Sequence, residues 1–207
     1  MSPLETLGWT LGTSFASGLN LYATVAAAGL LQHFGIFQLP PALQILAQPI
    51  VWGIALGLFV VEFVADKIPV VDSAWDTIHT FIRPPAAALL AYGAFGDVPE
   101  GWKLGAALLA GGVALTSHGA KATTRAAANA SPEPFSNWIL STLEDVLAIG
   151  LAWLAAEHPV LTGAIVVVLV ILCVLLMWKL FGFFKRVVGR IRGEPLAEAG
   201  GTGTSSG

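Results

Sequence analysis

Val61-Glu-Phe-Val-Ala-Asp-Lys-Ile-Pro-Val-Val-Asp-Ser-Ala-Trp-Asp-Thr-Ile-His-Thr-Phe-Ile-Arg83 is the stretch on which the fold turns. Upstream of it, no Lys, Arg, Asp or Glu occurs between Glu5 and Glu62. Charge then arrives inside apolar sequence, in three clusters. The first is Glu62, Asp66, Lys67, Asp72, Asp76 and Arg83; the second is His118, Lys121 and Arg125; the third is Glu144 and Asp145. An ionisable group at membrane depth is costly, so it faces a protein interior or a wet cavity. The pattern predicts an all-α, polytopic membrane helix bundle with a polar chamber in its cytosolic half.

Composition agrees. Hydrophobic residues form 56% of the 207-residue chain and charged ones 11%, where soluble domains carry about 25%. Mean hydropathy is +0.77. A net charge of −3 argues against a nucleic-acid partner. The lone cysteine, Cys173, lies in an apolar run, which leaves no disulfide framework and no cysteine metal site. The N-terminus lacks a basic n-region, so the first hydrophobic helix is expected to be retained.

A helical span needs about 20 mostly apolar residues. Six segments qualify: 8–31, 47–68, 73–95, 102–126, 135–157 and 160–184. Proline-bearing connections separate them, including Ile68-Pro69, Asp97-Val98-Pro99, Ser131-Pro132-Glu133-Pro134 and His158-Pro159. Arg83-Pro84-Pro85 falls within the third span and is expected to kink or break it. Lys67, Lys121, Arg125 and the basic residues after the last span predict cytosolic termini. Trp9, Trp102 and Trp178 are expected as interfacial anchors. The domain is thus 1–192, with 193–207 a disordered tail.

The halves resemble each other weakly, as repeats over about 8–95 and 102–184. Ser17-Gly-Leu-Asn-Leu-Tyr-Ala-Thr-Val-Ala-Ala-Ala28 aligns with Ser117-His-Gly-Ala-Lys-Ala-Thr-Thr-Arg-Ala-Ala-Ala128, and Pro69 aligns with Pro159. Three spans per half would make the repeats inverted, an arrangement that places transporter sites where the repeats meet. Chance similarity between Ala-rich helices is the competing explanation.

Helical spacing puts Asp72, Asp76, His79 and Arg83 on one stripe. Glu62 and Asp66 share a face, as do His118, Lys121 and Arg125, and as do Asn137, Ser141 and Glu144 or Asp145. Glu62 and Glu144 reach similar depths, roughly 10 and 13 Å from the cytosolic ends of their spans. Ser17, Asn20 and Arg83 reach the same level. Opposite charges gathered at one level offset one another's desolvation. These twelve are the candidate substrate- or ion-binding residues: Ser17, Asn20, Glu62, Asp66, Asp72, Asp76, His79, Arg83, Lys121, Arg125, Glu144 and Asp145.

Plainer readings compete. Asp72 and Asp76 could be solvated loop residues, Lys121 and Arg125 positive-inside anchors, and Arg83 the partner of Glu144 or Asp145 in a structural ion pair. Ser17-Gly18, Gly111-Gly112 and Gly119 permit close helix approach, or local unwinding that exposes backbone groups.

Ser17-Gly-Leu-Asn-Leu-Tyr22 and the Glu62…Ile68-Pro69-x-x-Asp72-x-x-x-Asp76-Thr77 string resemble a bacterial membrane family, domain of unknown function 4126. Glu144 matches a glutamate that recurs in its fifth span. The resemblance covers roughly residues 3 to 190 and implies a multi-span protein of the bacterial inner membrane, with no activity attached. Glu62-x-x-x-Asp66-Lys67 is also similar to the Glu-x-Gly-Asp-Lys signature of small cation exchangers. The spacing differs and the glycine is absent, so this implies an architecture class rather than calcium or manganese transport.

Three functions follow. The first is a small transporter or lipid- or ion-handling protein, with Glu62 and Glu144 coupling to protons or a cation and Arg83, Lys121 and Arg125 holding an anionic moiety. The second is a structural or assembly protein whose charges are interhelical pairs. The third is a membrane enzyme acting on a lipid head group through Asp72, Asp76 and His79, with or without a metal. It ranks last, since the chain has no nucleophile motif, phosphate loop or metal-spaced histidine pair. No cofactor is implied. The expected partners are membrane lipids and an unidentified small substrate or ion, with homo-oligomerisation left open.

Overall fold

The computed structural model describes residues 1–96, 98–129 and 135–191, and the proposed tail at 193–207 lies outside them. The described residues form helices and no strand: α1 (Pro3–Leu19), α2 (Leu21–His33), a 3-10 helix (Pro41–Ala47), α3 (Pro49–Ala65), α4 (Pro69–Ala94), α5 (Glu100–Asn129), α6 (Phe135–Glu157) and α7 (Pro159–Ile191).

α1 is the axis of the bundle. Ser2 and Glu5 form a capping box at its start, and Pro3 occupies its first turn, where the missing N–H costs nothing. From Gly8 to Leu19 nearly every residue is buried, because α4, α5, α6 and α7 all pack against it. Small residues allow this crowding. A Cβ on Gly8 would lie 2.1 Å from the Pro159 carbonyl oxygen, so α7 starts directly against the α1 backbone. Phe15, Leu19, Val113, Leu151 and Val166 fill one apolar core around α1. Trp9, Leu39, Leu43, Ala94 and Ala155 fill a second.

Three expectations are corrected. The first span is not continuous: it breaks at Asn20, whose backbone is extended (φ −149°, ψ 104°). The Asn20 side chain accepts from the Ala23 N–H and so caps α2, which stabilises the break. The third span is not broken: α4 runs unbroken through Pro84 and Pro85. Proline's fixed φ is helical, and extensive packing along α5 offsets the missing hydrogen bonds. Trp9 is not an interfacial anchor, since it is buried in the second core and stacks on Phe37 at 6.3 Å. Trp102 and Trp178 are exposed.

Phe135–Glu157 and Pro159–Arg186 are long and apolar enough to cross a membrane. The pair Pro41–Ala47 and Pro49–Ala65, bent by 65°, adds a third if taken as one span. Phe81, Leu89, Leu108, Val168 and Leu172 stand exposed on the bundle, as lipid solvation would favour. The chain is therefore read as membrane-associated.

Candidate functional site

The charged stripes of α3, α4, α5 and α6 converge in the bundle interior. Glu62, Asp66, Asp72, Asp76, His79, Arg83, His118, Lys121, Arg125, Glu144 and Asp145 are all at most 8% exposed. Asp72 and Asp76 are therefore helical and buried rather than loop residues, and Lys121 and Arg125 are not surface anchors.

Arg83 on α4 donates to Glu62 on α3, not to Glu144 or Asp145. Its Nη1 also donates to the Gly18 carbonyl at 2.8 Å and to His118 Nδ1 at 2.9 Å. An arginine cannot accept, so His118 carries its proton on Nε2 and is neutral here. That N–H reaches Thr80 Oγ1 at 2.8 Å and the Asp76 carbonyl at 3.1 Å. His79 donates from Nδ1 to the Trp75 carbonyl at 2.8 Å, and its Nε2 meets the Tyr22 hydroxyl at 3.1 Å.

Lys121 Nζ sits among four carboxylates: Asp66 at 2.8 Å, Glu62 at 3.4 Å, and Asp76 and Glu144 each at 3.9 Å. It also donates to the Leu19 carbonyl at 3.3 Å. Glu62 and Glu144, expected at one depth, thus face the same ammonium. Arg125 clasps Glu144, with Nη2 at 2.6 Å and Nε at 3.1 Å from Oε2. Asp66 and Asp72 lie at 3.3 and 3.4 Å from the same guanidinium. Its Nη1 donates to the Asp66 carbonyl at 2.9 Å and to Asn137 at 2.8 Å.

A common local reason places each cation. The break at Asn20 frees the Gly18 and Leu19 carbonyls at the end of α1, and Asp66 caps the end of α3. Helix C-termini carry partial negative charge, so Arg83, Lys121 and Arg125 each meet a carboxylate and a helix-end carbonyl. Asn20 also donates to Asp145 at 2.8 Å. Ser17 Oγ is buried with no hydrogen-bond partner among the described residues. Lys67, half-buried, donates to Ser141 at 3.1 Å and lies over the Phe63 ring.

The balance of these charges is unequal. Among the described residues, six buried carboxylates (Glu62, Asp66, Asp72, Asp76, Glu144, Asp145) face three buried cations (Arg83, Lys121, Arg125). Glu62 Oε2, Asp66 Oδ1, Asp76 Oδ1 and Asp145 Oδ2 have no hydrogen-bond partner among the described residues. No group of three or more His, Cys, Asp or Glu side chains among the described residues is placed to hold a metal ion. A cavity of about 220 Å³ between α4 and α5 reaches the cluster, with Asp72, Asp76, Thr77, Thr80, Ala122 and Arg125 in its walls.

Tyr22, Thr80 and the three helix-end carbonyls were not among the candidates read from sequence. Backbone ligands leave no side-chain signature; the Ser17-Gly18 pair and a mid-span asparagine were the available signals.

A family model described as "Domain of unknown function (DUF4126)" matches residues 7–179. No curated protein and no solved structure matches the chain. With most of its length covered by that one model, the chain belongs to the DUF4126 family of domains of unknown function.

Proposed function

We propose that this chain is a small membrane transporter that couples to protons or another monovalent cation. The observation that carries the reading is the charge imbalance in the bundle interior. Six carboxylates against three cations give a formal −3, or −2 when half-buried Lys67 is counted. Uncompensated charge in a low-dielectric interior is expensive and draws in protons or cations. The three buried cations are already closed by carboxylates, which leaves them no capacity for an anionic head group. A cation or proton substrate therefore fits better than an anion or a lipid phosphate.

In this reading the chain crosses the bacterial inner membrane six times, with α1 and α2 forming one broken span and both termini cytosolic. The halves are inverted repeats. Pro69 and Pro159 each open the last helix of a half, and Ser117 donates to the Phe15 carbonyl at 3.0 Å where the first helices of the two halves cross. Broken helices whose ends face the site are a recurring transporter device.

The test uses purified protein in vesicles holding a pH-sensitive dye, driven by a potassium or sodium gradient. Wild type should move protons faster than empty vesicles, and Glu62→Gln/Glu144→Gln should not. Equal rates for wild type and a folded double variant would reject the reading.

A structural role is the second reading, favoured by the closure of each cation between a carboxylate and a helix end. It predicts that Arg83→Ala lowers protein abundance and that Glu62→Arg/Arg83→Glu restores it.

A further inference from the structure

The cavity between α4 and α5 has a graded lining. Ser73, Thr77 and Ala126 at its rim are exposed, whereas Asp72, Asp76 and Arg125 at its floor are buried. Its volume of about 220 Å³ is large enough to admit water. The alanines of α5, Ala122 and Ala126, leave that room, and the hydroxyls of α4 make it wettable. Asp76 is the decisive group. It is 4% exposed, lines the cavity, and its Oδ1 has no hydrogen-bond partner among the described residues. That same oxygen stands 3.9 Å from Lys121 Nζ, which Glu62, Asp66 and Glu144 also approach.

We infer that this cavity is the mouth of the charge network and takes a small monovalent cation from water, with Asp76 as its first carboxylate. Hydronium and a partly hydrated alkali ion share this chemistry. Hydronium would pass its proton to the Asp76 carboxylate, whose Oδ1 is buried toward Lys121, leaving a neutral carboxyl and a water. An alkali ion would sit against the same carboxylate where it lines the cavity, with waters completing its shell. Either event removes one of the four negative charges around Lys121 and so redistributes that ammonium among Glu62, Asp66 and Glu144. The other ionisable groups around the mouth are fixed by partners. Asp72 faces Arg125 at 3.4 Å, Arg125 is held by Glu144, and His118 directs its proton to Thr80 and the Asp76 carbonyl. The inference rests on the cation-coupled reading above and names where that cation enters.

The test is thiol accessibility in vesicles, on a Cys173→Ala background. Ala122→Cys, in the mouth, is compared with Val168→Cys on the exposed apolar face of α7, using a cationic, membrane-impermeant methanethiosulfonate. Only the thiolate reacts, and a lipid-facing thiol stays protonated. Labelling at Ala122→Cys should be faster by about tenfold or more. It should slow when sodium or potassium replaces choline at fixed pH, or when pH falls at fixed alkali concentration after normalising to a free thiol. The first response identifies an alkali ion and the second hydronium. Adding Asp76→Asn should abolish whichever response is seen. An unlabelled Ala122→Cys overturns the inference, as does labelling that ignores both cations or that responds equally with Asp76→Asn. If Asp76→Asn does not fold, the protection seen with Asp76 present decides alone. Proton movement that persists with a dry mouth rejects only this route. A wet, cation-sensitive mouth without proton movement rejects the transport reading instead.

Discussion

Gly18 on α1 and Ser117 on α5 meet with no room for a methyl group between them. A Cβ on Gly18 would fall 1.8 Å from Ser117 Oγ and 2.3 Å from the Ala114 carbonyl oxygen. The same contact aims the Gly18 carbonyl at Arg83 and lets Ser117 donate to the Phe15 carbonyl. Gly18→Ala should therefore destabilise the bundle by about 1–3 kcal/mol, the usual cost of overpacking. Gly150→Ala on α6, where a Cβ meets nothing within 4 Å, should be neutral or stabilising by up to about 1 kcal/mol. Thermal unfolding in detergent checks the pair, and equal melting temperatures would show that α1 and α5 do not touch here.

Much of the network was legible because helical spacing is a direct projection of sequence onto a face. Asp72, Asp76, His79 and Arg83 were expected on one stripe and are all buried, and Glu62 with Asp66 behaves likewise. What spacing does not encode is which stripe meets which. Spacing leaves Arg83 open to a substrate or to a pair with Glu144 or Asp145, and it joins Glu62 instead. Local rules failed where packing overrode them. Two consecutive prolines did not interrupt α4, while Asn20, a polar residue in an apolar run, did interrupt the first span. An asparagine stabilises a break only when both ends of its amide find partners, and the second partner, Asp145, lies 125 residues away.

Asn20 is consequently a cap and a carboxylate ligand at once. Asn20→Ala should cost about 1 kcal/mol for the lost α2 cap, plus a contribution from leaving Asp145 without its donor. Asn20→Asp keeps the cap but sets two carboxylates together, so its deficit should shrink as pH falls and one of them takes a proton. Melting temperatures of the three proteins across pH distinguish these cases. An Asn20→Ala variant matching wild type would show that the break is held by α1 packing alone.

Glu100, in the connection between the proposed third and fourth spans, gives a pH signature. Glu100 accepts from the Tyr92 hydroxyl at 2.8 Å and from Lys103 at 3.2 Å. The Tyr92 hydrogen bond first, and the Lys103 hydrogen bond next, hold its carboxyl below the ordinary value of 4.5. A depressed folded value means that the ionised group contributes stability above the unfolded value, and that this is lost as pH falls through the folded one. The melting-temperature difference between wild type and Tyr92→Phe should therefore be present at about pH 6 and fade toward about pH 3. A difference constant with pH would assign the effect to the lost hydroxyl contact alone.

Arg125 holds three of the six buried carboxylates among the described residues. Its guanidinium lies within ion-pair distance of Glu144, Asp66 and Asp72, and bonds the Asp66 carbonyl and Asn137 as well. Removing one member of a buried pair leaves an uncompensated charge and costs about 3–5 kcal/mol, so Arg125→Ala should unfold or severely destabilise the bundle. Arg125→Lys keeps the charge but not the planar fork, and should recover only part of that loss. Adding Glu144→Gln to Arg125→Ala should cost less than the sum of the two single changes, because the neutral amide no longer needs the missing cation. Chemical or thermal unfolding of the four proteins closes this cycle. A strictly additive result would mean that Glu144 does not depend on Arg125. Its charge would then be balanced by Lys121, 3.9 Å away, or by a proton of its own.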